Sequence, residues 1–208
     1  MKLVFATTNP HKIREVREIL GPLGVEVESL AEAGVEVPPP VEDGATFEEN
    51  ARAKATGYAL ALGRACLADD SGVEVDALGG APGVHSAVYA GVSGPREERD
   101  RANREKLVEE LRKSEDANRS ARLVCTLCLA DGSGRILFEA RGAVECRVLE
   151  EGRGDAGFGY DPLLFLPDVQ KTLAELPADE WNARSHRGAA VRELHAWLSK
   201  NTDRGEPT

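Results

Sequence analysis

Lys2-Leu-Val-Phe-Ala-Thr-Thr-Asn-Pro-His-Lys-Ile-Arg-Glu-Val-Arg-Glu-Ile-Leu20 is the stretch that decides the fold class. Lys2 to Ala6 is a short apolar run, which predicts a strand. Ile13, Val16, Ile19 and Leu20 then recur at helical spacing. Asn9 is placed to cap that helix, with Pro10 at its first position, where a missing N–H costs nothing. Gly21-Pro22 ends it. A strand running into a helix through a short polar turn opens an alternating α/β pattern.

The pattern continues outward from there. Val25 to Leu30 alternates as a second strand, and Val37-Pro38-Pro39-Pro40-Val41 is an extended connector. Thr46 and Glu49 form a capping box that opens a helix running to about Leu62. Ala65 to Ala68 predicts a buried strand, broken at Asp69-Asp70-Ser71-Gly72, with Val73 to Leu78 a further strand and Gly79 to Gly83 a loop. Pro95 to Lys113 predicts a charged helix with Leu107 and Leu111 inward. Ala121 to Ala130 and Ile136 to Leu149 are long strands joined as a hairpin at Asp131-Gly-Ser-Gly134. Gly152 to Asp161 is a glycine-rich loop, and Ser185 to Leu198 a closing helix. The expected fold class is α/β, a long central mixed β-sheet flanked by helices. Residues 1–200 read as a single domain, and 201–208 as a polar tail expected to be disordered.

The chain has 208 residues, a net charge of −10 and a 41% apolar content, values of a globular protein with a sizeable core. The acidity argues against nucleic-acid polymers and anionic membranes as partners. It does not argue against a small anion, because a few cations or a metal reverse the field locally. No apolar run is long enough for a transmembrane helix, and Thr7-Thr8-Asn9 arrives too early for a signal peptide. Cys125-x-x-Cys128 resembles half a zinc site. It falls on a predicted strand, however, where an odd separation sends the two thiols to opposite faces, so buried core thiols are expected. A cytoplasmic setting follows.

Four clusters could carry chemistry. Thr7, Thr8, Asn9 and Lys12 sit at a helix N-terminus, which serves either as an ordinary cap or as an anion site. Asp69-Asp70 are adjacent carboxylates after an apolar run; a divalent cation relieves such a pair, or the two split into one structural and one outward group. Glu42-Asp43 precede the capped helix that carries Glu48, Glu49, Asn50 and Lys54, of which Glu48 and Glu49 read as a solvated acidic face. Gly157-Phe158-Gly159-Tyr160-Asp161 offers close backbone approach and an aromatic ring for stacking, with Asp161, His186 and Arg187 as polar readers of a ring's edge. Neither a P-loop nor a nucleophile elbow is present. Anion donors, carboxylates, lysines and an aromatic together suit a nucleotide with its metal.

Thr7-Thr8-Asn9-x-x-Lys12, Thr46-Phe47-x-Glu-Asn50-Ala51-x-x-Lys54, Ala68-Asp-Asp-Ser-Gly72, Gly157-Phe-Gly-Tyr-Asp-Pro162, Ala174-Glu-Leu176 and Ser185-His-Arg187 occur in this order. In this the chain resembles the inosine/xanthosine triphosphate pyrophosphatase family, also called Ham1-like, from Lys2 to about Leu198. The resemblance implies cleavage of ITP, dITP and XTP to the monophosphate and pyrophosphate, which keeps deaminated purines out of DNA and RNA. It implies two lobes with the active-site cleft between them, a homodimer and Mg²⁺. By position, Thr7, Thr8, Asn9, Lys12 and Lys54 would hold phosphates. Glu42 and Asp70 would hold the metal, with Asp70 also the base toward water and Ser71 contacting substrate. Phe158, Gly159, Tyr160 and Asp161 would line the base pocket, and His186 and Arg187 would address the 6-oxo edge.

The chain departs from the family in two places. Trp181 stands where many relatives carry a substrate-contacting lysine, so that contact is absent or replaced by stacking. Val88 stands where many bacterial relatives carry arginine. Lys171 matches a common family lysine whose role the sequence does not assign. Two other readings remain open: a pyrophosphatase for modified pyrimidine nucleotides, and a nucleotide sensor without turnover.

Overall fold

The structure is a computed structural model and describes residues 2–34 and 38–202. Val37 of the expected connector and residues 203–208 of the expected tail lie outside them. Among the described residues, seven strands form one mixed sheet: β1 Lys2–Phe5, β2 Glu26–Ser29, β3 Cys66–Val75, β4 Ser120–Ala130, β5 Ile136–Val148, β6 Leu164–Leu166 and β7 Lys171–Thr172. Their order is β2-β1-β3-β4-β5-β6-β7. β1 pairs in parallel with β2 and β3, while β6 pairs antiparallel with β5 and β7. The helices are α1 Pro10–Leu20, α2 Phe47–Leu62, α3 Arg96–Lys113, α4 Ala178–Arg184 and α5 His186–Thr202. Among the described residues, no helix is long and apolar enough to cross a membrane.

The chain divides into two compact units. The first comprises Met1–Asp70, Cys125–Gly142 and Ser185–Thr208. It is a sheet buried on both faces. Side chains alternate along each strand, so Leu3, Phe5, Leu67, Cys125, Leu127 and Leu129 pack on one face with Val16 and Leu20 of α1 and Val191 and Leu194 of α5. Val4, Cys66, Ala68, Cys128 and Ala130 pack on the other with Ala51, Ala55, Tyr58 and Ala59 of α2. Cys125 and Cys128 thus lie on opposite faces as buried free thiols. Gly142 on β5 lets α5 come close: a Cβ there would lie 2.0 Å from the His186 carbonyl oxygen.

The second unit comprises Ser71–Val124 and Ala143–Arg184. Leu107, Val108 and Leu111 of α3 pack there with Val73, Val75, Leu123, Val148 and Leu164, so the α3 leucines face inward as their spacing predicts.

Local chemistry explains the helix ends. The Asn9 side chain accepts from the His11 N–H at 3.0 Å, and Thr46 and Glu49 close the expected capping box. Three details differ from the sequence reading. β3 is not broken at Asp69-Asp70-Ser71-Gly72 but runs through it, because cations from the flanking helices neutralise both carboxylates. The predicted strand to Leu78 ends instead at Val75, and Asp76–Leu78 is a 3₁₀ turn. Asn201, assigned to the tail, continues α5.

Candidate active site

Residue parity along β3 builds the site in the first unit. Asp69 shares its parity with Leu67 and emerges on the face covered by α1 and α5. Asp70 shares its parity with Cys66 and Ala68 and emerges on the α2 face. Two neighbouring carboxylates therefore enter two different environments.

Asp69 is 1% exposed. Lys12 Nζ of α1 lies 3.1 Å from its Oδ1 and 3.0 Å from its Oδ2. Arg187 Nε of α5 donates to Oδ2 at 3.1 Å. Burial alone would raise the Asp69 pKa, but Lys12, Arg187 and Lys54 hold it well below the ordinary carboxylate value. Arg187 is also buried and donates through Nη1 to Glu15 of α1. Glu15 in turn accepts from the Ser185 hydroxyl, which caps α5 by accepting from the Gly188 N–H at 2.8 Å. This buried network fixes where α1 and the start of α5 meet the strand.

Asp70 faces α2. Lys54 Nζ lies 3.0 Å from Asp70 Oδ1 and 2.9 Å from Glu42 Oε2. Asn50, one turn before Lys54, donates to Asp70 Oδ2 at 3.2 Å and accepts from the Gly44 N–H at 2.9 Å. The Asn50 amide thereby ties the segment carrying Glu42 to the strand carrying Asp70. Burial raises the Asp70 pKa above the ordinary value despite Lys54, which makes it a stronger base than a solvated carboxylate. Burial opposes the charge on Lys54, but Asp70, Asp69 and Glu42 outweigh it and raise its pKa.

The donor set is of the kind that a divalent cation takes. Glu42 and Asp70 converge their oxygens on one cation, the Lys54 ammonium, and hard oxygen donors are what such a metal takes. Among the described residues, no group of three or more His, Cys, Asp or Glu side chains is arranged so that it could hold a metal ion. A pair of carboxylates suits a metal that keeps waters and takes its remaining ligands from phosphate.

The other expected residues divide between the units. Thr7, Thr8 and Asn9 form the turn into α1, with Thr7 Oγ1 accepting from the Asn9 N–H at 3.2 Å. His186 is buried, and burial followed by the Arg187 charge pushes its pKa well below 6.5. In the second unit, the Asp161 carboxylate accepts from the Phe158 N–H at 2.8 Å, closing the glycine loop on itself. Tyr160 is buried, and its hydroxyl donates to the Ser86 carbonyl at 2.9 Å. Trp181 packs, partly buried, on the apolar cluster of the same unit. Ser71 directly follows Asp70 in β3.

Sequence reasoning gave Glu15 no role. It named Asp69 as one of a carboxylate pair and Asn50 as a residue on the side of α2 that carries Lys54, without the specific partners of either. Glu48 is not simply solvated: it pairs with Arg141 and accepts from the Thr126 hydroxyl. Glu49 is engaged in the capping box.

The neutral, buried His186 has a consequence for stability. Below pH 6.5 the unfolded chain binds a proton at this side chain that the folded chain does not. Stability is therefore expected to fall as pH drops below that value, by about 1.4 kcal/mol per pH unit from this group, until the depressed pKa is reached. The contribution is intact at higher pH. His186→Gln should remove this part of the slope in urea unfolding at pH 7.5, 6.5 and 5.5. Equal slopes in the two proteins would refute it.

Two adjacent carboxylates of one strand, each paired with a lysine from a flanking helix, make a charged cluster on a doubly covered mixed α/β sheet. The model of the Ham1 family matches residues 3–197. The chain belongs to the Ham1 family. A dITP/XTP pyrophosphatase from an Exiguobacterium strain is 51% identical over 196 residues, covering 94% of this chain and 96% of the relative. The dITP/XTP pyrophosphatase of Bacillus subtilis is 46% identical, covering 94% and 96%. Among solved structures, a HAM1 protein from Coxiella burnetii superposes with a TM-score of 0.87 at 38% identity, covering 96% of this chain and 99% of that one. A nucleoside-triphosphatase / dITP/XTP pyrophosphatase from Mycobacterium abscessus gives 0.74 at 38% identity, covering 95% and 99%.

Proposed function

We propose that this protein hydrolyses dITP, ITP and XTP to the nucleoside monophosphate and pyrophosphate. The observation that carries the reading is the Asp70–Lys54–Glu42 constellation, two carboxylates converging on one buried ammonium. Water attacks the α-phosphorus, a new P–O bond forms, and the bond to the pyrophosphate oxygen breaks. Asp70 takes the proton of that water. Mg²⁺, held by Glu42 and Asp70, would neutralise charge on the phosphates. Lys12, Lys54 and the turn Thr7-Thr8-Asn9 bind phosphate oxygens. Within the buried network Arg187 is held in place by Asp69 and Glu15. It and His186 are the groups proposed to favour a 6-oxo purine, through a ring or guanidinium N–H that a 6-amino group could not accept. Phe158 supplies a stacking face, while Gly159, Tyr160 and Asp161 shape its loop. Ser71 and Trp181 complete the proposed substrate contacts. The family resemblance also supports a cytoplasmic homodimer acting on free nucleotides.

The test is pyrophosphate release from dITP, XTP, dGTP, dATP and dUTP with Mg²⁺. The expected result is kcat/KM for dITP and XTP at least about a hundredfold above dATP, a floor below the discrimination that a dedicated buried hydrogen bond can give. Equal rates on dITP and dATP would sink the selectivity. Preference for dUTP would favour the modified-pyrimidine reading, and tight binding without turnover the sensor.

A further inference from the structure

The helix α3 does more than pack its leucines in the second unit. Arg96, Asp100 and Arg104 recur at i, i+4 and i+8 and so form one stripe along it. All three reach the glycine loop that carries Phe158. The Asp100 carboxylate accepts from the Gly159 N–H at 3.0 Å. Arg104 Nη1 donates to the Gly159 carbonyl at 2.6 Å. Both polar groups of one residue are thus taken by one helix. Arg96 lies 3.5 Å from Asp100, and its guanidinium carbon sits 4.6 Å from the centre of the Phe158 ring.

Gly159 has φ +62°, a left-handed conformation that glycine adopts freely but does not hold by itself. A loop with glycines at 154, 157 and 159 has many accessible conformations, and Phe158 presents its ring in only some of them. The Asp161 carboxylate accepts from the Phe158 N–H within the loop, and the Ala156 N–H and the Tyr160 hydroxyl anchor the loop to the Ala174 and Ser86 carbonyls. The α3 stripe holds Gly159 itself, the residue next to Phe158.

We propose that Asp100 and Arg104 are positioning residues that clasp Gly159 and preset the Phe158 ring for the purine base, with Arg96 holding the ring by its face. The inference rests on the reading of Phe158 as the base-stacking residue. A preset loop lowers the ordering cost of binding, so its loss appears in KM and in discrimination between bases more than in kcat.

The experiment measures kcat and KM for dITP and dATP in Asp100→Ala, Asp100→Asn, Arg104→Met and Phe158→Ala, with thermal midpoints alongside. Asp100→Ala and Arg104→Met should raise KM for dITP about tenfold, with kcat within about threefold, and lower the dITP-over-dATP ratio of kcat/KM several-fold. Asp100→Asn keeps an acceptor for the Gly159 N–H and should stay within about threefold of the parent. Combining Asp100→Ala with Phe158→Ala should add little to Phe158→Ala alone. The clasp is overturned if both single variants keep KM and the ratio within twofold while Phe158→Ala raises KM. It is also overturned if they lower kcat equally for both nucleotides with KM unchanged, the mark of a purely structural loss. An unchanged KM in Phe158→Ala would remove the base-stacking reading itself, and this inference with it. Should Asp100→Ala fail to fold, Arg96→Gln replaces it, because it removes only the guanidinium over the ring. About a threefold rise in KM is expected there, and no rise counts against the proposal.

Discussion

Asp70→Asn is expected to lower pyrophosphate release from dITP by about 10²–10⁴-fold, the range typical for loss of a positioned base. Binding of dITP, measured by calorimetry with Mg²⁺, should weaken by less than about tenfold, because Lys12 and Lys54, the proposed phosphate ligands, remain. The substitution is nearly isosteric, and its amide oxygen still accepts from Lys54, which lies 3.0 Å from Asp70 Oδ1. The fold should survive for a second reason. Burial already disfavours the ionised form of Asp70, so a neutral side chain removes a cost. Turnover within tenfold of the parent would eliminate Asp70 as the base.

The neighbouring residue should behave in the opposite way. Asp69→Ala is expected to cost about 3–5 kcal/mol of folding stability, the loss typical when one member of a buried ion pair is removed. Lys12 and Arg187 would then face each other across the vacated position with only Glu15 to balance them. Against a total stability of about 5–15 kcal/mol, this is a large fraction. Urea unfolding of Asp69→Ala and Asp70→Asn in the same buffer checks the contrast. A loss below about 1 kcal/mol in Asp69→Ala would mean that the network tolerates an uncompensated cation, and Asp69 would lose its structural role. On the proposed mechanism two adjacent aspartates would divide the work, Asp69 for the fold and Asp70 for the chemistry, because strand parity sends them to different partners.

Much of this was legible in the chain because the determinants are local. The cap at Asn9, the capping box at Thr46 and Glu49 and the inward leucines of α3 depend on residues within one or two turns of each other. The opposite burial of Cys125 and Cys128 depends only on strand parity. The same parity separates Asp69 and Asp70, the split into one structural and one outward group that the sequence had left open beside a shared cation. A run of two aspartates, serine and glycine reads as a turn, however, when its partners are unseen. Lys12, Lys54 and Arg187 lie 57, 16 and 118 positions from the carboxylates that they neutralise. No local pattern announces such pairings.

Short-range spacing and ordered motifs were enough for the α/β class, the positions of most elements and the family. Folding was needed to show that β3 runs unbroken through its two carboxylates and that Arg187 is held between Asp69 and Glu15. It was needed as well to bring the α3 stripe of Arg96, Asp100 and Arg104 onto the Phe158 loop. One cause underlies all three. A buried charge or a flexible glycine loop keeps its conformation only when partners distant in sequence satisfy it, and only the folded chain supplies those partners.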